Sequence, residues 1–235
     1  MLTFTAVLLA GIASFATAQN GTVVTGALGD AQVVVGNPAG VTYVATLPAK
    51  SFFNPNDPRG NVKGSVSATS NPDGGATFQV SFSNLPTSGG PFTYHIHDAP
   101  VPADGNCTGT KAHQDPYVRG ETPVCDAKSP ETCQVGDLSG KHGKIESDPT
   151  TQTYTDKYVS LTPGSNAFFG NRSITFHFAN KTRISCANFA LASGNATQTG
   201  SNPAATSAIQ VIGAGVKQGV PALSLMGALA LAFAL

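Results

Sequence analysis

The sequence predicts an all-β domain, and three observations carry that reading. Gly and Pro are frequent, at 26 and 16 of 235 residues, while Trp is absent. No apolar residue returns every three to four positions for long enough to make a helix. Short runs rich in Val, Ile, Thr, Phe and Tyr are instead separated by turn-forming residues. One such junction, Asn71-Pro72-Asp73-Gly74-Gly75, joins two strand-like runs, so residues 61–83 read as a hairpin.

The elements follow in chain order. An apolar run from Ala6 to Phe15 precedes the small-x-small triplet Ala16-Thr17-Ala18. Residues 1–18 therefore read as a secretory signal cleaved before Gln19, against the alternative of a buried N-terminal helix. Strand character falls at Val33–Val35, Thr42–Thr46, Asn61–Ala68, Ala76–Phe82 and Phe92–His97. From Asp98 to Gln134 the chain is irregular and holds Cys107, Cys125, Cys133 and His113. A loop of that length inside a compact domain is usually functional, so it reads as a stapled functional loop. Strands resume at Tyr158–Leu161, Ser173–Phe178 and Arg183–Ala190. This places one β domain over residues 19–190, followed by a small-residue polar linker over 191–212.

The C-terminal segment 213–235 ends in the uncharged run GVPALSLMGALALAFAL. Small residues, a spacer and an apolar tail make a GPI-anchor signal, with Ser201, Ser207 and Gly213 as attachment candidates. The alternative is a single transmembrane helix, for which the tail is short and lacks a following basic residue. Five N-x-S/T sequons, at Asn20, Asn106, Asn171, Asn180 and Asn195, are glycosylation candidates on a secretory route. The expected location is extracellular, at the membrane or wall. Only 11% of residues are charged and the net charge is zero, so no basic stripe supports nucleic acid as a partner. The strand pattern advertises no large apolar face, and a monomer is expected.

The four cysteines, Cys107, Cys125, Cys133 and Cys186, suggest two disulfides in an oxidising compartment, with three connectivities open. The histidines carry the chemistry. In Tyr94-His95-Ile96-His97 side chains alternate, so both imidazoles share one strand face. In Ser173-Ile174-Thr175-Phe176-His177-Phe178 the apolar residues line one face and His177 lies outward with Thr175. His113 sits in the long loop soon after Cys107. Three or four imidazoles suit Cu, Zn or Ni, and residue types alone do not choose among them. His142, in Gly140-Lys141-His142-Gly143, reads as structural or exposed. No nucleophile motif such as G-x-S-x-G is present.

The ordered segments YHIHDAPVPADGNC, KAHQDPY, CQVGDLSGKHG, SITFHF and TRISCANF resemble the copper-zinc superoxide dismutase superfamily. HQDPY and GDLSGKHG are similar to its fungal extracellular copper-only branch. The resemblance spans roughly residues 23 to 190 and implies a Greek-key β-barrel or sandwich. It also implies copper ligation by His95, His97, His113 and His177, with His113 matching the imidazolate that bridges copper and zinc in the two-metal enzymes. Arg183 matches the arginine that attracts and orients superoxide. Cys107–Cys186 matches the family's loop-to-barrel disulfide, leaving Cys125–Cys133 as a local bridge.

Departures from the two-metal pattern set further expectations. Glu121 and Gln134 stand where those enzymes carry zinc histidines, and only Asp137 keeps a zinc-ligand type, so zinc is expected to be absent. The copper-only branch often has a glutamate at the Gln134 position. Asp137 is expected to support His113 on its other nitrogen. Only Phe178–Thr182 separate His177 from Arg183, which implies a shallow, open site. The implied activity is dismutation of superoxide to oxygen and hydrogen peroxide. A surface copper-binding or storage protein without turnover is the alternative.

Overall fold

The computed structural model describes residues 25–54 and 60–193. The signal segment, Asn20, Asn195 and the GPI-attachment and tail segments lie outside them. Among the described residues no helix is long and apolar enough to cross a membrane.

The described residues form eight strands: β1 (Thr42–Thr46), β2 (Lys63–Ser70), β3 (Ala76–Ser83), β4 (Thr93–His97), β5 (Thr150–Asp156), β6 (Ser173–His177), β7 (Arg183–Asn188) and β8 (Ala190–Ser193). They pair antiparallel in a five-stranded sheet, β5-β3-β2-β1-β8, and a three-stranded sheet, β4-β6-β7. The chain leaves the first sheet after β3, forms β4 in the second, and returns to place β5 beside β3. After β6 and β7 it returns again, placing β8 beside β1. These cross-sheet returns give the Greek-key sandwich.

The β2–β3 hairpin forms where the turn residues stand. Asn71 Oδ1 accepts from the Asp73 N–H at 2.9 Å, and the Asn71 N–H donates to the Gly75 carbonyl at 3.1 Å. Gly75 has φ +63° with the Asp156 carbonyl where a Cβ would sit, so no other residue fits without strain. Along β3, Ala76, Phe78, Val80 and Phe82 face inward. The inner face of the second sheet answers with Tyr94, Ile96, Ile174 and Phe176. Phe82 sits 4.6 Å from Phe176 and 5.6 Å from Tyr94, centroid to centroid. Full burial of one such ring contributes about 1.5–3 kcal/mol.

Strand β6 is buried at all five positions, although the sequence places His177 outward. Its inner residues meet the core, and its outer residues lie under the Asp98–Gln134 loop. Ser173 Oγ donates to the Ala99 carbonyl at 2.7 Å, and Thr175 Oγ1 lies 3.2 Å from Thr110 Oγ1. Cys107 is disulfide-bonded to Cys186 on β7, and Cys125 to Cys133 within the loop. Both bridges are those the family resemblance implies.

Three other local expectations differ. Val33–Val35 forms no strand; Val34 instead clamps backbone, donating to Lys157 O at 2.8 Å and accepting from Gly75 N at 2.7 Å. Tyr158–Leu161 is buried but irregular, with one bridge from Ser160 to Phe168. The strand lies just before it, in the Thr-rich β5, whose residues alternate between half-buried and exposed. Finally, β8 carries the first sheet to Ser193, past the Leu191 start of the expected linker.

Candidate metal centre

The outer face of the second sheet presents His95 and His97 from β4 and His177 from neighbouring β6. The loop brings the fourth imidazole. The His113 backbone makes an antiparallel bridge with His97, and three chain segments are laced together around it. Gln114 N donates to Ile96 O at 2.8 Å, Gly136 N to Gln114 O at 2.8 Å, and Ile96 N to Gly136 O at 2.9 Å. A Cβ on Gly136 would strike the Ile96 carbonyl, so a glycine there lets the loop lie directly on β4.

One ligand nitrogen from each of His95, His97, His113 and His177 falls within 4.8 Å of the others. His95, His97 and His177 are buried, and His113 is half-buried. Hydrogen bonds on the far side of three rings show which nitrogen each offers. His97 Nδ1 is 2.8 Å from the Lys111 carbonyl, and His177 Nδ1 is 3.1 Å from the Lys181 carbonyl. His113 Nδ1 is 2.7 Å from Gln134 Oε1. A carbonyl oxygen only accepts, so these Nδ1 atoms carry the proton and each Nε2 keeps a lone pair. His97 Nε2 and His177 Nε2 lie 3.1 Å apart. Two lone pairs at that distance repel unless a cation or proton lies between them. His95 is reversed: its Nε2 is 3.5 Å from Asp137 Oδ1, and its buried Nδ1 has no hydrogen-bond partner.

Electrostatics keep His95, His97 and His177 unprotonated. Burial lowers the pKa of His95 well below the ordinary histidine value, helped by the neighbouring imidazoles. Burial takes His97 down to about 2, with His113 and His177 adding to it. His177 is lowered to about 4, again chiefly by burial. Four lone pairs converging near neutral pH, one of them otherwise orphaned, fit a transition-metal cation.

The Arg183 guanidinium is half-buried beside this cluster. It donates to the carbonyls of Cys107, Thr108 (3.0 Å) and Lys111 (2.6 Å) and to Thr110 Oγ1 (3.1 Å). Arginine and the Cys107–Cys186 bridge thus pin the loop over β6 and β7. The Phe178–Thr182 connection closes as a tight turn, with Phe178 N donating to Thr182 O and Lys181 N to Phe178 O, both at 2.9 Å. Among the described residues the connection from His177 to Arg183 is this short turn alone, and His113 is the least buried of the four histidines.

Asp137 does not support His113. Its carboxylate instead caps the short helix α1 (Leu138–His142), accepting from Gly140 N at 2.8 Å, and faces His95. Gln134 takes the role expected of Asp137, its Oε1 lying 2.7 Å from His113 Nδ1. Glu121 does not reach the histidines' nitrogens; it pairs with Lys181 at 2.7 Å on the exposed rim, and that lysine holds its carboxyl below the usual range. His142 stands away from the cluster, stacked on Tyr154 and bonded to Asp156. Asn106 and Asn180 are exposed but bond backbone N–H groups of Thr108 and Thr182, while Asn171 is exposed beside β6.

Sequence reasoning missed the Lys111 and Lys181 carbonyls and Asp115, which holds Gln134. Lys111 and Lys181 have φ of +63° and +69°, an uncommon conformation for non-glycine residues that aims each carbonyl at an imidazole. Every residue carries a carbonyl, so no side-chain motif announces them. Asp115 had a visible signal, two positions after His113 on the same loop.

No family model matches the chain. Among curated proteins, it is 39% identical over 199 residues to "Cell surface Cu-only superoxide dismutase" of Arthroderma benhamiae, covering 72% of this chain and 52% of that protein. It is 39% identical over 147 residues to "Cell surface Cu-only superoxide dismutase 5" of Candida albicans, covering 60% and 61%. The chain thus spans between half and two thirds of these relatives' length. Among solved structures, Candida albicans Superoxide Dismutase 5 in its Cu(II) form matches with TM-score 0.58 and 31% identity, over 70% of this chain and 100% of that one. A glutamate-to-glutamine mutant of the same enzyme matches with TM-score 0.57 and 32% identity, over 70% and 99%. With the sandwich, the loop-to-sheet disulfide and the four-histidine cluster in place, this likeness over a relative's full solved length shows that the chain belongs to the fungal cell-surface copper-only superoxide dismutase family.

Proposed function

We propose that this chain is a copper-dependent superoxide dismutase acting at the cell surface. The observation that carries the reading is the convergence of four imidazole nitrogens within 4.8 Å, each from a ring whose other nitrogen faces a polar partner. One copper would be held by His95 through Nδ1 and by His97, His113 and His177 through Nε2. Bound copper supplies one-electron chemistry, taking an electron from one superoxide and giving it to a second.

The protein supplies the rest. Arg183 fixes a positive charge beside the cluster and draws the anion in. Its four loop acceptors hold the guanidinium in place, so little reorganisation is needed when the anion arrives. His113 is the imidazole best placed for proton traffic, being half-buried, and it can hold a proton at Nε2 whenever that atom is otherwise free. The net reaction joins two superoxides and two protons to give oxygen and hydrogen peroxide. A zinc site is not part of the reading: His113 Nδ1, which would face a second ion, is taken by the neutral Gln134 amide, and Glu121 is held by Lys181.

The relatives are named cell-surface proteins, and the signal at 1–18 and GPI-type segment at 213–235 support secretion and tethering. Ser201, Ser207 or Gly213 would carry the anchor, and Asn20, Asn106, Asn171, Asn180 and Asn195 the glycans. We read the protein as a monomer.

The test is superoxide dismutation by the purified secreted protein reloaded with copper, with metal content measured on the same sample. One copper, negligible zinc and fast turnover are expected. His177→Ala should lose roughly a hundredfold or more in copper affinity, with turnover falling in step. Stoichiometric copper without turnover would replace the enzyme with a copper-binding or storage protein.

A further inference from the structure

Asp115 lies two residues beyond His113, half-buried under the loop. Its Oδ1 accepts from Arg119 N at 3.0 Å, and its Oδ2 accepts from Gly120 N at 2.8 Å and from Gln134 Nε2 at 3.0 Å. Gln134, in turn, is only 6% exposed and turns its other amide atom toward His113 Nδ1 at 2.7 Å. An amide has two ends of similar shape and opposite chemistry. If it flips, an NH2 replaces the oxygen facing His113, and the ring can only accept there. The proton would then sit on Nε2, on the side where the lone pairs of His95, His97 and His177 converge.

A carboxylate settles the choice, because it accepts and never donates when ionised. With Asp115 on one side, the Gln134 NH2 must face it, so Oε1 must face His113 and receive Nδ1–H. We propose that Asp115 is a positioning residue that locks Gln134 in one amide orientation and thereby sets the His113 tautomer, leaving Nε2 as a lone pair. This rests on the reading of the cluster as a metal centre and deepens it. It also accounts for an amide at position 134: a glutamate there would set two carboxylates about 3 Å apart, whereas Asp115 and Gln134 are complementary as they stand. The carboxylate acts at one remove, through a polarised amide rather than by direct contact with the imidazole.

The experiment is an exchange of the two groups, read on the metal-free, isotopically labelled protein by the nitrogen resonances of His113, and separately by copper affinity. The native protein should show protonated Nδ1 and unprotonated Nε2. Asp115→Asn frees the amide to flip, giving a mixed tautomer and roughly tenfold weaker copper binding. Gln134→Glu alone, facing Asp115, should weaken binding by a similar factor. The double variant Asp115→Asn with Gln134→Glu should restore both the tautomer and the affinity. Its glutamate offers an oxygen to His113 in either orientation, and the amide introduced at position 115 can donate to that glutamate.

A residue that merely held the loop through Arg119 and Gly120 would not be rescued by a change at position 134. The proposal is overturned if native His113 carries its proton on Nε2, if Asp115→Asn leaves the tautomer unmixed, or if the double variant is no better than the two single changes combined. The tautomer readout needs neither copper nor turnover. A protein that passes it yet does not dismutate superoxide would sink the enzymatic reading and leave this one standing.

Discussion

Two buried polar clusters in this protein use histidine in opposite ways. In the first, His95, His97, His113 and His177 point lone pairs at one another across less than 4.8 Å, and His95 Nδ1 has no partner. In the second, where α1 packs by the end of β5, Lys141 Nζ meets Asp156 Oδ2 at 2.5 Å, with both side chains fully buried. His142 Nε2 reaches the same oxygen at 2.9 Å, Tyr158 N donates to Asp156 Oδ1 at 2.9 Å, and Lys141 also donates to Val135 O at 2.9 Å. Burial pushes the Asp156 carboxyl up, but Lys141 and His142 outweigh it and bring the pKa down to about 2. The second cluster is complete without a ligand, and the first is complete only with one. An unfinished set of buried polar groups therefore marks the working site better than burial or charge alone.

The largest break in this comparison comes from Lys141→Met. It leaves a buried carboxylate without its main counter-charge and should cost about 3–5 kcal/mol in denaturant unfolding. Copper stoichiometry should not change. A variant as stable as the native protein would mean the second cluster is not held together by its ion pair.

Acid sharpens the contrast by separating two windows. The folded pKa values of His97 and His177, about 2 and about 4, lie below the ordinary 6.5. The unfolded chain thus binds protons that the folded one refuses, so this stability is full above about pH 6.5 and is lost as pH falls toward 4 and 2. For His177 alone the loss is on the order of 3 kcal/mol, at about 1.4 kcal/mol per unit. Asp156, at about 2 folded against 3.8, contributes stability above pH 3.8 that disappears between 3.8 and 2. Copper competes with protons for the same lone pairs, so loading the metal should move the upper window to lower pH and leave the lower one in place. Unfolding midpoints measured across this range, with and without copper, check both. An upper window that ignores copper would break the assignment of the first cluster.

The smallest effect is His142→Gln. Glutamine can still donate to Asp156 but loses the ring stacked 4.0 Å from Tyr154, costing about 1 kcal/mol of stability. Copper affinity and turnover should be unchanged. A change in either would couple the two clusters.

How much of this was legible beforehand depended on what kind of atom did the work. Histidines and cysteines stood out as candidates, because only a few residue types can coordinate a metal or form a disulfide, and the ordered motifs of the family resemblance chose the set and the pairing. The hairpin was readable, because Asn71–Gly75 has a turn chemistry of its own. Strand β5 was passed over because Thr150–Asp156 is almost wholly polar, and the buried Tyr158–Leu161 run beside it drew attention instead. Apolar composition reports burial, and an irregular segment can be buried as thoroughly as a strand.

The sequence by itself determined the all-β class, the common face of His95 and His97 and the outward turn of His177 on its strand, which follow from the two-residue period of a strand, a local property. The expectation that His113 and His177 join His95 and His97 in one ligand set came from the ordered motifs of the family resemblance. Only the tertiary structure decided that Gln134 rather than Asp137 holds His113, and that the Lys111 and Lys181 carbonyls hold His97 and His177. Those partners are set by where a long loop comes to rest on the outer face of the second sheet. That position depends on the Cys107–Cys186 bridge, the Arg183 fork and the close pass of Gly136 over Ile96, interactions between segments far apart in the chain. A hydrogen bond of about 3 Å depends on that registry to within an ångström, which a local pattern does not encode.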